Sequence, residues 1–309
     1  MEDQVDQSCF IPGFSVSFQK SFFYIINWFS PFTMLLSVWC VVSNAAVIIA
    51  LYRSGNKFIR PGLSMLCSLS ITDLLWGATV APVESGLRLK HLLNSQVCEM
   101  YSEFSKIPFI SPPVVLYICT IFSLTIVSID RFLAVKHFAQ YRFWVTRRRA
   151  VVACIIVWLI SITLGAVREQ TSFRFDPFAI NSLAVGIIIL PAIVVIICQS
   201  MTIYCLRRHN NKVVEMRDQG IYTNSANTIN AAIERKLTKT TAYVVGVLAL
   251  VFFPIAIGMI MTSIIKKQYL KLVNAALIPL ATICSSINPI LYYRENRRVR
   301  VEILKIIKC

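Results

Sequence analysis

Charged residues are scarce in this chain. They make up 15% of its 309 residues, while hydrophobic residues make up 56%, and soluble domains average about 25% charged residues. So little charge does not cover a surface in contact with water. The sequence also lacks a glycine-rich phosphate loop, a His-Glu-x-x-His pair and a Cys-x-x-Cys pair, which mark common nucleotide and zinc sites. These absences argue against an enzyme and against a soluble protein.

Long apolar segments define the fold class. A helix needs about 20 mainly apolar residues to cross the hydrocarbon layer, and these segments lack the alternation of a barrel strand. We therefore predict an all-α membrane protein, a bundle of seven transmembrane helices followed by a short amphipathic eighth helix that contacts membrane lipid. The seven segments are roughly 22–52, 62–87, 108–136, 149–167, 178–206, 237–265 and 270–293.

Basic residues predict the orientation of the bundle. The net charge is +16, and most of the 31 Lys and Arg residues follow the first, third and fifth segments or lie in the tail. By the positive-inside rule these regions are cytoplasmic. The chain then has an extracellular N-terminus (1–21), a seven-helix domain (22–293) and a cytoplasmic tail (294–309). Because the charge follows the loops, a membrane surface is a better partner than nucleic acid.

A carboxylate stands in the middle of the second apolar segment. Asp73 has apolar sequence on both sides, and an ionisable group within the bilayer is costly, so it is a candidate functional residue. Asn44 and Asn288 are polar residues at similar depth in the first and last segments. Pro289 bends the last segment, because proline removes a backbone donor from the helix. We expect these polar groups to form one network.

Each of the seven segments carries a short motif. The motifs are Ser43-Asn44, Leu69-Ser70-Ile71-Thr72-Asp73, Asp130-Arg131-Phe132, Trp158, Pro191, Phe252-Phe253-Pro254 and Asn288-Pro289-Ile290-Leu291-Tyr292. In this order and at these depths they resemble the rhodopsin-like (class A) G-protein-coupled receptors, from about residue 22 to 308. The resemblance implies a plasma-membrane receptor that binds an extracellular ligand and a heterotrimeric G protein.

The resemblance also implies which residues serve activation and G-protein coupling. They are Asp130, Arg131, Phe132, Glu234, Phe252, Pro254, Asn288, Pro289 and Tyr292. Glu234 lies where the family often places an acid that pairs with the arginine of the third helix. An Arg131–Glu234 lock would then open as the sixth helix moves outward, while the alternative is that Glu234 is a solvated loop acid.

A sodium ion is the one cofactor that the resemblance suggests. Asp73, Thr120, Ser285 and Asn288 match the family's sodium pocket, and oxygen ligands suit a hard cation. Cys284 stands where an asparagine is common, so one ligand is lost. We expect sodium to act at Asp73 as an allosteric modulator.

The predicted ligand pocket has few charged groups. Pro113 falls where amine receptors carry an aspartate, and Thr282 where opsins carry the retinal lysine. The chain is therefore expected to be neither amine-type nor a retinal-binding opsin, and its ligand to be a lipid, a peptide or a neutral small molecule. Candidate pocket residues, which could equally serve packing, are Glu84, Tyr117, Phe252, Phe253, Met259, Asn274 and Ile278.

Cysteines suggest two covalent features. The loop before the fifth segment has no cysteine, so Cys9 and Cys98 are expected to pair in the oxidising compartment, with two free thiols as the alternative. Cys309 is a candidate for acylation beside the amphipathic helix. The paired prolines Pro112 and Pro113 predict that the third helix is kinked there or begins there.

Three residues depart from the family's activation pattern. Phe132 replaces a tyrosine, Phe252 replaces a tryptophan, and Gln199 replaces a tyrosine whose hydroxyl helps to hold the active state. The replacements at Phe252 and Gln199 keep open a receptor-like protein that binds ligand and signals weakly or not at all. A transporter is a more remote alternative, because Asp73 is the one clear charge at mid-membrane.

Overall fold

The computed structural model describes residues 29–53, 61–86, 112–172, 177–218, 269–295 and 297–307. These residues form eight helices: α1 (Ser30–Arg53), α2 (Pro61–Gly86), α3 (Pro112–Lys136), α4 (Phe138–Trp144), α5 (Arg147–Ser172), α6 (Pro177–Asp218), α7 (Tyr269–Glu295) and α8 (Arg297–Ile307). Several sequence predictions lie outside the described residues, namely the segment 237–265 and residues Cys9, Cys98, Glu234, Phe252, Phe253, Pro254, Met259 and Cys309.

Four of the described helices are long and apolar enough to cross a membrane: Ser30–Arg53, Pro61–Gly86, Pro113–Lys136 and Arg147–Val167. The ends predicted near 52, 62, 87, 136, 149 and 167 each lie within two residues of these bounds, while the starts predicted at 22 and 108 lie outside the described residues. Both prolines, Pro112 and Pro113, are helical in the described residues, where α3 extends from Pro112 to Lys136.

Two predictions of local structure were wrong. The fifth segment was predicted to end near residue 206, but the helix α6 continues to Asp218. The stretch 207–218 contains no Gly or Pro, and its Arg, Lys, Glu and Met are good helix formers, so the helix does not stop where the apolar sequence ends. The short helix α4 was missed altogether, because seven residues are too few to show a helical period.

The helix α1 buries polar residues and exposes apolar ones, which indicates that its surroundings are apolar. Ser37, Cys40 and Asn44 are buried, whereas Leu35 is 71% exposed and Val42 is 58% exposed. A helix in water places its apolar side toward the core. The opposite arrangement here is that of a helix whose outer face meets lipid and whose polar groups meet other helices.

The amphipathic C-terminal helix docks against the ends of α1 and α2. Val299 and Ile303 of α8 are buried together with Val47, Leu51 and Leu63, so the predicted eighth helix is confirmed. We call this end of the bundle, which carries Arg53, Arg131, Arg149 and α8, the basic end.

Candidate functional site

The carboxylate of Asp73 joins α2 to α7 in the middle of the bundle. Asp73 is fully buried. The Ser285 hydroxyl donates to its Oδ1 at 2.8 Å, and the Asn288 amide donates to its Oδ2 at 2.7 Å. Charge-assisted bonds of this kind are about twice as strong as neutral ones. The predicted network of Asp73 and Asn288 is therefore present, with Ser285 as a third member.

Asn44 connects α1 to the same network. Its Nδ2 donates to the Cys40 carbonyl at 2.9 Å and to the Ser285 carbonyl at 3.2 Å. The Cys40 thiol in turn donates to the backbone carbonyl of Asp73 at 3.2 Å. Side-chain bonds to the backbone of a neighbouring helix thus hold α1, α2 and α7 together at one level.

The oxygen atoms around Asp73 fit a small hard cation in their chemistry. Besides the carboxylate and the Ser285 hydroxyl, the Asn44 Oδ1 is buried and has no hydrogen-bond partner among the described residues. Hard cations take carboxylate, hydroxyl and amide oxygens as ligands. Thr120 was predicted to belong to this set. Its hydroxyl donates to the Leu116 carbonyl of its own helix at 2.9 Å, and the lone pairs of that oxygen remain available to a cation.

Candidate pocket residues lie on the side of Asp73 away from the basic end. Ile278 is buried against Trp76, Val80 and Leu116, and Tyr117 packs against the same cluster. Trp76 donates from Nε1 to the Thr282 hydroxyl at 3.1 Å, which links α2 to α7. Sequence reasoning missed Trp76, since an aromatic residue in an apolar segment is more often simple packing.

Glu84 is the partly buried acid one turn beyond this cluster on α2. It follows Val80 and Ala81, both of which are buried in the cluster. Asn274 of α7 was also predicted to line the pocket, but its side chain lies outside the described part of the structure.

At the basic end, Asp130 is held between α4 and its own neighbour Arg131. The Tyr141 hydroxyl donates to Asp130 Oδ1 at 2.6 Å, and Arg131 Nε lies 3.7 Å from Asp130 Oδ2. The carboxylate is buried, while 42% of the Arg131 side chain is exposed. Arg131 therefore has its charge partner in this conformation and still reaches the surface.

Tyr141 remains a hydrogen-bond donor at any ordinary pH. Burial, followed by its hydrogen bond to Asp130, raises the pKa of the Tyr141 phenol well above its usual value. Arg149 fixes the end of α4 by donating to the carbonyls of Phe143 and Trp144 at 3.2 and 2.9 Å. No sequence pattern indicated Tyr141, since α4 itself was not predicted.

Gln199, one of the departures from the family pattern, joins α6 to α3. Its Nε2 donates to the Ser128 hydroxyl at 3.1 Å, and the side chain is 2% exposed. Its Oε1 is buried without a hydrogen-bond partner in the described residues. The amide therefore ties the two helices together one turn before Arg131.

Three further residues that were predicted to serve activation, Phe132, Pro289 and Tyr292, lie near this end. The Phe132 ring lies under the Lys136 ammonium, 5.2 Å from ring centroid to Nζ, an arrangement that attracts a cation to the ring face. Tyr292 packs against the apolar cluster that α8 forms with α1 and α2. Pro289 lies inside α7, which continues through it to Glu295.

Comparison with known proteins gives similar receptors. The human histamine H2 receptor is 26% identical over 300 residues, which cover 90% of this chain and 79% of that receptor. The muscarinic acetylcholine receptor gar-2 of Caenorhabditis elegans is 28% identical over 139 residues, or 44% of this chain and 21% of that receptor. The 5-hydroxytryptamine receptor 1B of Vulpes vulpes is 28% identical over 133 residues, which cover 42% of this chain and 32% of that receptor.

These relatives correct the predicted ligand class. Histamine, acetylcholine and 5-hydroxytryptamine all carry a cationic nitrogen at neutral pH, so the expectation that the chain is not amine-type has no support. That expectation rested on Pro113 standing where an aspartate was sought. The absence of one acid from α3 does not exclude a counter-ion on another helix.

The family model of the 7 transmembrane receptors (rhodopsin family) matches residues 43–292. This match includes both the Asp73 network and the Asp130–Arg131 pair, and it confirms the seven-helix bundle. Its members are multi-pass plasma-membrane receptors that signal through G proteins and are not enzymes. The chain belongs to the rhodopsin family of seven-transmembrane receptors.

Proposed function

We propose that the chain carries an extracellular ligand signal to a heterotrimeric G protein through its basic end, which faces the cytoplasm. The observation that carries this proposal is the pair at the end of α3. Asp130 is buried and bonded to Tyr141, while Arg131 beside it is 42% exposed. An arginine held by a weak, half-exposed pair can exchange its partner at little cost, which suits a group that changes contacts on activation.

A movement of the segment 237–265 is the proposed switch. Glu234, just before that segment, is the proposed second partner of Arg131 in the inactive state. A ligand shifts such an equilibrium only by its differential affinity for the two states.

Nucleotide exchange on purified G proteins tests this function. We expect the full chain in lipid nanodiscs to accelerate exchange on at least one G-protein class when a matching ligand is added. Glu234→Ala should raise exchange without ligand, since it removes one inactive-state contact. If no G-protein class responds to any ligand that binds, the signalling function is wrong.

A receptor that binds ligand without signalling is the second candidate. It is favoured by Gln199, which fastens α6 to α3 where the family has a tyrosine that supports the active state. Measurable ligand binding with no exchange on any G-protein class would select this candidate.

We propose a small cationic amine as the ligand, with Glu84 as its counter-ion. A cation in an apolar site needs a charge partner, because its desolvation is otherwise very costly. The acids that the described helices carry beyond Asp73, away from the basic end, are Glu84 and Glu169. Of these, Glu84 is one turn from the cluster that contains Tyr117 and Ile278.

Glu84→Gln should weaken the response to an active amine on the order of tenfold, since it replaces a charge-assisted contact by a neutral one. The measurement is the ligand concentration for half-maximal exchange across a panel of biogenic amines. Glu169→Gln is the matched control and should leave that concentration unchanged. If only Glu169→Gln raised the ligand concentration for half-maximal exchange, the counter-ion would be Glu169 on α5, and the proposed role of Glu84 would be wrong.

We also propose that sodium binds at Asp73 as an allosteric modulator. The support is the oxygen set around Asp73, in particular the buried Asn44 Oδ1 that lacks a partner among the described residues. Asp73, Ser285 and Asn44 would hold the ion, which would neutralise the buried carboxylate.

A further inference from the structure

Gly62, the second residue of α2, lies directly against the head group of Arg131. A methyl group built on Gly62 would lie 2.6 Å from Nη2 of Arg131, 3.7 Å from its Cζ and 3.5 Å from Oδ2 of Asp130. The first of these distances is too short for any real contact. The pair Asp130–Arg131 can therefore adopt this arrangement only because position 62 has no side chain.

The missing side chain has an electrostatic consequence as well. Asp130 Oδ2 is buried and, among the described residues, has no hydrogen-bond partner. Its compensating charge is the Arg131 guanidinium, with Nε at 3.7 Å. The guanidinium can lie here because the backbone at Gly62 is bare.

We propose that Gly62 is a positioning residue for Arg131: its bare backbone is the seat that keeps the guanidinium on Asp130 in the ligand-free receptor. This proposal rests on the proposed function, in which Arg131 leaves Asp130 on activation. Any side chain at position 62 would occupy the space of the Arg131 guanidinium. The guanidinium must then move, and because it is flexible and half exposed it can turn outward without disturbing the packing.

A methyl group at Gly62 should therefore favour the active state and leave the fold intact. We expect Gly62→Ala to raise ligand-free nucleotide exchange about two- to fivefold, the effect of losing one half-exposed ion pair. Gly62→Val should raise it further, because it displaces the guanidinium more. The melting temperature of Gly62→Ala should not fall, since alanine is a better helix residue than glycine.

Gly86 provides a matched control on the same helix. A methyl group built there meets no heavy atom of the described residues within 4 Å, so Gly86→Ala makes the same chemical change without touching Arg131. It should leave ligand-free exchange unchanged. If Gly86→Ala raised ligand-free exchange as much as Gly62→Ala, the effect would come from helix propensity, and the positioning role of Gly62 would be wrong.

The background of Asp130→Asn separates this proposal from the proposed function. Asp130→Asn breaks the pair directly and should itself raise ligand-free exchange. If Gly62 acts through that pair, Gly62→Ala should then add nothing, because effects on one shared contact are not additive. Two outcomes would overturn the role of Gly62 and leave the proposed function intact. In the first, the increases in ligand-free exchange from Asp130→Asn and Gly62→Ala are fully additive. In the second, Asp130→Asn raises ligand-free exchange and Gly62→Ala does not. No exchange from any variant with any ligand would overturn the proposed function and the seat together.

Discussion

Arg131→Ala is expected to abolish ligand-driven nucleotide exchange while ligand binding persists. Its guanidinium is the exposed member of the Asp130–Arg131 pair at the basic end, where we propose that the G protein docks. Without it, the G protein loses the side chain that we propose changes its contacts on activation. The measurement is the exchange rate at saturating ligand, which should fall to the rate without ligand.

Two variants define how Arg131 acts. Arg131→Lys keeps the charge but not the planar fork of donors, so it should retain only part of the coupling. Arg147 is exposed at the same end, and Arg147→Ala removes an equal charge there while leaving the Asp130–Arg131 pair intact. If Arg147→Ala reduced exchange as strongly as Arg131→Ala, the basic end would act through its net charge and not through one side chain.

The features that lipid enforces could be predicted from the sequence. Apolar length predicted the presence of α1, α2, α3 and α5, because a shorter or more polar helix does not cross the hydrocarbon layer. The same penalty predicted that Asp73 faces other helices, and the structure bonds it to Ser285 and Asn288. The membrane restricts where a polar group can lie, so few arrangements remain to choose from.

Contacts outside that restriction could not be predicted. The end of α6 was missed because beyond the lipid a helix continues as far as its propensity allows. Tyr141 was missed because α4 is short, although its bond to Asp130 spans only eleven residues. The pairing of Gln199 with Ser128, which are 71 residues apart, depends on how α3 and α6 rotate about their axes, and composition carries no record of that rotation.

Thr120 shows a different limit. Its position in the sequence matches the sodium pocket of the family, and in the structure its hydroxyl donates to the carbonyl four residues earlier. Ser and Thr in helices commonly make this local bond, which the sequence match by itself did not indicate. Gly62 is the converse case, since a glycine at the start of a helix indicates only a boundary until a neighbouring side chain is seen against it.

Asp73→Ala should destabilise the receptor by about 2 kcal/mol, because it leaves the Ser285 hydroxyl and the Asn288 amide buried without their acceptor. Each buried donor costs about 1–3 kcal/mol when unpaired, whereas a hydrogen bond between transmembrane helices contributes about 0.6 kcal/mol on average. Two donors lose their acceptor here, and a total of about 2 kcal/mol lies between the sums that these two values give. The measurement is thermal unfolding of the purified chain in detergent. Asp73→Asn keeps an acceptor oxygen and should lose less.

Ser70 offers the matched control for Asp73, because it lies on the same helix and is equally buried. Its hydroxyl has no hydrogen-bond partner in the described residues, so Ser70→Ala should be neutral or stabilising.

The proposed sodium site predicts a second property of Asp73. Replacing potassium by sodium at constant ionic strength should raise the melting temperature of the ligand-free wild type and not of Asp73→Asn. If both chains responded equally to sodium, the ion would act elsewhere, and Asp73 would serve only to join α2 to α7.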